Sequence, residues 1–301
     1  MSEYVLLSDS TTDLPPELAK ELDVSIVPLS YIIDGVSYDD VWEAPLSDGT
    51  VSYGPKEFYD LMRAGTVVTS SQVNEHRFLE FFAPYLEKGR DIVFLAFSSS
   101  LSGTYEQAKL AAKSLLEKYP QRRITVVDSL TATMSGGLFL YLAAQKRKAG
   151  MLYDDLVSYM MSIRMKMQGW ITVDDLQFLK RGGRLNAPVA LVGGMLNIKP
   201  IITVDRLGKI VIGKVVRGQK KAMAALINEV ATKADDPIND PICITHADAP
   251  DAADELKGML KKLFNTKTII TNYLGPVLGS HGGPGTVGVY FLGKERTANG
   301  R

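Results

Sequence analysis

In the first half of the chain, short apolar runs alternate with amphipathic stretches. Residues 4–7, 24–29, 92–97 and 123–127 have the length of buried strands and are bounded by polar or proline-containing turns. Tyr31-Ile32-Ile33 continues the second run in extended form, and Asp34-Gly35 is a turn signal. Helical spacing predicts helices from Pro15-Pro16 to near residue 22, over 55–63 and 74–87, after Gly103, and over 133–148. Pro84 is expected to kink or interrupt the third of these near its end. Residues 38–55, broken by Pro45, Gly49, Gly54 and Pro55, read as a long surface loop. Strands alternating with helices predict a mainly parallel sheet with right-handed crossovers. Its strands end in the polar turns Asp9-Ser10, Ser98 to Ser102 and Asp128-Ser129, which would line one crevice.

The second half has a different rhythm. It predicts a helix over 153–166, a strand over 169–173 and a short helix capped by Asp174 and running to 179. A basic turn, Lys180-Arg181-Gly182-Gly183-Arg184, follows. Residues 198–204 and 209–216 form a predicted hairpin around Leu207-Gly208. Helices over 219–233 and 251–264 alternate with strands over 241–245, 268–271 and 287–292, and 274–285 is a glycine-rich loop. The expected architecture is therefore α/β with two domains. Residues 1–150 form a mainly parallel α/β domain, 151–293 an α+β domain with a mixed sheet, and 294–301 a disordered tail.

Composition narrows the function. The 301 residues carry 34 basic and 34 acidic side chains, so no net charge favours nucleic acid or an anionic membrane surface. No apolar run reaches the ~18–20 residues that span a bilayer, and no basic-then-apolar signal opens the sequence. The single cysteine, Cys243, excludes an internal disulfide and reads as a core residue. The expected location is the cytoplasm.

The most chemical stretch is Ser98-Ser99-Ser100-Leu101-Ser102-Gly103-Thr104, between a buried strand and a helix. Hydroxyls and free amides at a helix N-terminus suit an anion, and Ser102 or Thr104 suits a plain helix cap equally well. Thr69-Ser70-Ser71-Gln72 is a second hydroxyl-rich turn. Of three histidines, His76 reads as a surface residue and His246 as structural, while His281 sits among glycines that permit close approach to a ligand. Arg184 could hold a carboxylate or phosphate through two parallel bonds, or be a solvated loop charge. No metal-ligand spacing, phosphate-binding loop or dinucleotide fingerprint is present, and the central turn lacks the glycine spacing of a hydrolase nucleophile elbow. A hydrolase or transferase built on Ser102 and His281 is the competing reading.

Five stretches, in order, resemble the DegV family of bacterial fatty-acid-binding proteins: residues 8–15, 69–72, 98–105, 179–184 and 275–285. The resemblance implies a non-enzymatic, two-domain carrier that needs no cofactor and holds a long-chain fatty acid, such as palmitate or oleate, between its domains. It implies a fatty-acid kinase as partner, with the acyl phosphate feeding phospholipid synthesis. Carried over by motif, the carboxylate ligands are Ser70 and Ser102, with Thr69 as a substitute because the family has threonine where Ser70 stands. Arg184 and His281 would serve the head group in phosphoryl transfer. The stretch 42–55 is longer than the family pattern.

Overall fold

The computed structural model describes residues 4–45, 51–185 and 197–297. Its first half contributes β1 (Tyr4–Asp9), β2 (Val24–Val27), β3 (Ser30–Ile33), β4 (Val36–Asp39), β5 (Thr69–Ser71), β6 (Asp91–Ala96) and β7 (Ile124–Asp128). Between them lie α1 (Pro16–Glu21), α2 (Pro55–Arg63), α3 (Glu75–Glu87) and α4 (Thr104–Lys118), and α5 (Met134–Lys148) follows. The second half runs α6 (Tyr153–Ile163), β8 (Met167–Thr172), α7 (Gln177–Arg181), β9 (Ile198–Val204), β10 (Ile210–Arg217), α8 (Gln219–Lys233), β11 (Ile242–His246), α9 (Pro250–Phe264), β12 (Ile269–Tyr273), α10 (Pro276–Gly282) and β13 (Val287–Leu292).

Strands β2-β1-β6-β7 form a parallel sheet. Strands β1 and β6 are buried throughout and mainly apolar because helices cover both faces. Their alternation is strict. Val5, Leu7, Ile92 and Phe94 pack with Phe58, Phe78 and Phe82 of α2 and α3. Leu6, Val93 and Leu95 pack with Leu138 and Phe139 of α5 and with Leu156 and Met160 of α6. That second cluster also holds Met167, Cys243 and Tyr290 from the other sheet. Helix α5 thus lies between two sheets, which explains why its sequence is apolar on most sides.

The second sheet has the order β10-β9-β8-β13-β11-β12, with only β11–β12 parallel. Its other face is covered by α8 and α9 through Leu226, Val230, Leu256 and Leu260. The architecture is α/β in two domains, a parallel sheet followed by a mixed one, as the hydrophobic pattern predicts. A small antiparallel sheet, β4-β3-β5, completes the first half.

Several local expectations are corrected. The Thr69–Gln72 turn begins as strand β5, because Ser70 pairs opposite Tyr31. The apolar run from residue 24 breaks after Val27 and restarts as β3. The stretch after Tyr38 is not a plain surface loop. Asp40 and Ser52 are buried, and Trp42 packs on Phe58 and Tyr59; residues 46–50 lie outside the described residues. Helix α3 runs through Pro84 to Glu87. Asp175, not Asp174, accepts from the Gln177 amide, while Asp174 pairs with Lys199. The glycine-rich loop contains helix α10, which Pro276 opens. Part of the expected tail is packed: Arg296 is buried and donates to the carbonyls of Leu130 and Asp205. Residues 298–301 lie outside the described residues.

Candidate functional site

A cavity of about 340 Å³ opens where the two halves meet. Its walls are mainly apolar, with Phe97, Leu101, Ile202 and Val277 among them. Ser70, Ser102, Arg184 and His281 all line it, so four of the five residues singled out from the sequence converge on one cavity. Thr69 does not. It is exposed on β5, and the pleat turns it away from the face that Ser70 presents.

Ser70 and His281 form a pair: Ser70 Oγ lies 2.9 Å from His281 Nε2. The imidazole is pushed down to about 4, first by burial and second by the Arg184 charge, so it is neutral at pH 7. Its Nδ1 is buried with no hydrogen-bond partner among the described residues. A proton on Nδ1 would therefore be an unsatisfied donor. Placed on Nε2, it donates to Ser70 Oγ and leaves the Ser70 hydroxyl proton free for an acceptor in the cavity.

Ser102 is prepared in the same way. Its Oγ accepts from the Thr104 amide at 3.2 Å and lies 2.9 Å from Thr104 Oγ1. Thr104, fully buried, can donate twice to Ser102 and so free the Ser102 proton. The cap reading and the anion reading of this turn are thus compatible. The two hydroxyl segments meet at Gly103, where a Cβ would displace the Gln72 amide.

The other serines of the central turn do different work. Ser98 donates to the Gly208 carbonyl at 3.0 Å and Ser100 to the Leu207 carbonyl at 2.6 Å. They dock the tip of the β9–β10 hairpin rather than an anion. Arg184 is exposed at the cavity rim, and its Nε donates to the Leu101 carbonyl at 3.2 Å.

Asp9, which the sequence placed in a polar turn, is a buried carboxylate, and so are Asp13 and Asp40, to which sequence reasoning gave no role. Asp9 ties β1 to β6 by accepting from the Phe97 amide at 2.8 Å, and it also accepts from Thr11. Asp40 accepts from the Val277 amide at 2.8 Å and from Ser10 Oγ at 2.6 Å. The only signal available was an aspartate at each end of Ser10-Thr11-Thr12, and nothing in the sequence marks Asp40. Burial pushes Asp9 and Asp40 up to about 6 and raises Asp13 well above the ordinary carboxylate range. The folded state therefore holds these protons more tightly than the unfolded state. Their contribution favours the fold at low pH and is lost as pH rises from about 4 through about 6.

Asparagine at position 40 keeps an acceptor for Val277 and can donate to Ser10 Oγ. Relative to the parent, Asp40→Asn should thus gain stability as pH rises from 4 to 7, by up to about 3 kcal/mol. Denaturant unfolding at several pH values measures this. A pH-independent difference would show that Asp40 keeps an ordinary carboxylate proton affinity.

The fold and site define an α/β protein with a mainly apolar cavity where its two halves meet, lined also by hydroxyls, an imidazole and a guanidinium. Residues 4–294 match the family model described as "Uncharacterised protein, DegV family COG1307". A DegV domain-containing protein of Clostridium perfringens is 38% identical over 98% of this chain and 99% of its own length. The chain belongs to the DegV family. Among solved structures it is similar to a DegV family protein from Thermus thermophilus, described as binding fatty acid. That similarity is 30% identity and TM-score 0.84, over 97% of this chain and 99% of that one. It is also similar to a DegV lipid-binding protein from Thermotoga maritima, at 27% identity and TM-score 0.83, over 99% of this chain and 100% of that one. No helix among the described residues is long and apolar enough to cross a membrane.

Proposed function

We propose that this protein binds one long-chain fatty acid with its tail in the cavity and its carboxylate on Ser70 and Ser102, and that a fatty-acid kinase phosphorylates that carboxylate. One observation carries the reading: two hydroxyls, each already supplied with donors by His281 or Thr104, stand on the wall of an apolar cavity. A buried carboxylate is costly unless hydrogen-bonded, and two free hydroxyl protons meet that need. The tail supplies most of the affinity. At ~0.8 kcal/mol per buried CH₂, a sixteen-carbon chain contributes on the order of 10 kcal/mol before ordering costs. The hydroxyls select the head group. The Thermus and Thermotoga relatives support the ligand class.

The partition at residues 150/151, with the second domain ending at 293, belongs to the same proposal, since it sets the cavity at the domain junction. So does the assignment of the protein as a cytoplasmic carrier that leaves catalysis to its kinase. A Ser102 hydrolase is not favoured by the geometry. His281 pairs with Ser70 instead, and no carboxylate orients its Nδ1 among the described residues.

Delipidated protein should gain thermal stability with palmitate or oleate, because ligand binding to the native state alone stabilises it. Ser102→Ala should fold and bind about 1–3 kcal/mol more weakly, the cost of a buried polar partner left unsatisfied. No shift with any long-chain acid would overturn the reading. An unchanged affinity in Ser102→Ala would reduce Ser102 to a helix cap.

A further inference from the structure

Helix α10 carries His281 and is only 7 residues long. A helix of that length is not stable by its own hydrogen bonds, so what fixes it must come from outside. The holders are two carboxylates from the other half of the chain. Asp13 Oδ1 accepts from the Gly275 amide at 2.9 Å, and Asp40 Oδ1 accepts from the Val277 amide at 2.8 Å. These are amides of the helix N-terminus, which have no partner within the helix. Val277 lies one turn before His281, on the same helix face. Asp40 is itself aimed by Ser10, whose Oγ donates to Asp40 Oδ2 at 2.6 Å and accepts from the Leu29 amide at 3.0 Å. The Asp13 carbonyl accepts from Asn272 Nδ2 at 2.7 Å, and Tyr59 donates to the Leu274 carbonyl at 2.5 Å. The approach to α10 is therefore anchored at four successive points to the first half.

The opposite end of the helix meets Ser70, which also belongs to the first half. Any slide of α10 along its axis would change the Ser70–His281 separation directly. Neutral acceptors could satisfy the same amides at lower desolvation cost.

We propose that Asp13 and Asp40 are positioning residues for the head-group site, clamping α10 so that His281 Nε2 stays on Ser70 Oγ. The inference rests on the fatty-acid reading for its functional consequence and on geometry alone for the clamp.

Nitrogen-15 NMR of histidine-labelled, full-length protein tests it. The chain has three histidines, and His281→Gln identifies the His281 signals by their loss. Asp13→Ala and Asp40→Ala should move the His281 ring nitrogens away from the single Nε2–H form. His246, whose Nδ1 accepts from the Ala249 amide at the start of α9, should keep its signals. Palmitate affinity should fall about tenfold in both variants, the effect of one lost hydrogen bond. Asp40→Asn, which keeps the acceptor for Val277, should restore both readouts. If Asp40→Ala does not fold, Ser10→Ala removes the group that aims Asp40 and should shift His281 in the same direction by a smaller amount. Unmoved His281 signals in the alanine variants, with only the melting temperature lowered, would make the two aspartates purely structural and overturn the proposal. A parent protein that binds no palmitate would defeat the fatty-acid reading while leaving the NMR test of the clamp intact.

Discussion

Arg184→Ala is expected to retain fatty acid and to lower acyl-phosphate formation with a cognate kinase by about 10²-fold or more, the typical effect of losing one preorganised donor. Arg184 stands exposed at the cavity rim and touches the central turn only through its Nε on the Leu101 carbonyl. In the proposed complex the tail would lie deeper and need no guanidinium. An arriving phosphoryl group brings extra negative charge to the rim, which a guanidinium meets with two parallel bonds. The structure separates Arg184 from His281 in this respect. Because His281 bonds to Ser70, removing its ring should weaken carboxylate binding as well as transfer. Lipid content by mass spectrometry and kinase-dependent phosphorylation, measured on each variant, decide the matter. An Arg184→Ala protein that loses its lipid would make Arg184 a carboxylate ligand.

Gly182→Ala should act on the same pair from behind. A Cβ at this position would meet His281 Nδ1 at 2.1 Å and Cε1 at 2.7 Å. The imidazole must then leave its place, and Ser70 loses its donor. Fatty-acid affinity is expected to fall by about 1–3 kcal/mol, with helix α7 intact because glycine is a poor helix former and alanine a good one. Isothermal titration and far-ultraviolet circular dichroism measure the two effects. Gly183→Ala provides the contrast: its φ of +72° strains the backbone, but nothing lies within 4 Å of its Cβ. Equal affinity loss in both variants would point to backbone strain rather than displacement of His281.

The sequence made the two-sheet frame legible because burial on both faces leaves uninterrupted apolar runs. Ile92 to Phe97 could hardly be anything but a central strand, and the apolar character of α5 announced its place between layers. Convergence of Ser70, Ser102, Arg184 and His281 was legible only through the ordered motifs, since these residues span more than two hundred positions of sequence. Other features had no local signature. Helix α10 hid in a glycine-rich stretch because its helix propensity is low and the partners of its N-terminal amides, Asp13 and Asp40, lie far away in sequence. The division of labour among serines was equally invisible. Ser98 and Ser100 look like Ser102 in one dimension, yet their partners, Gly208 and Leu207, lie over a hundred residues away. Thr69 and Ser70 differ only in which way the pleat turns them, and that was settled by the pairing of β5 with β3.

The central claim is that the cavity is a fatty-acid site with its carboxylate end at Ser70 and Ser102. Native mass spectrometry of the gently purified full-length protein, followed by organic extraction, tests it most directly. The account predicts one long-chain monocarboxylate per chain, displaced by added palmitate or oleate. A protein that carries no acyl chain as purified, and takes up neither acid when delipidated and titrated, would contradict it.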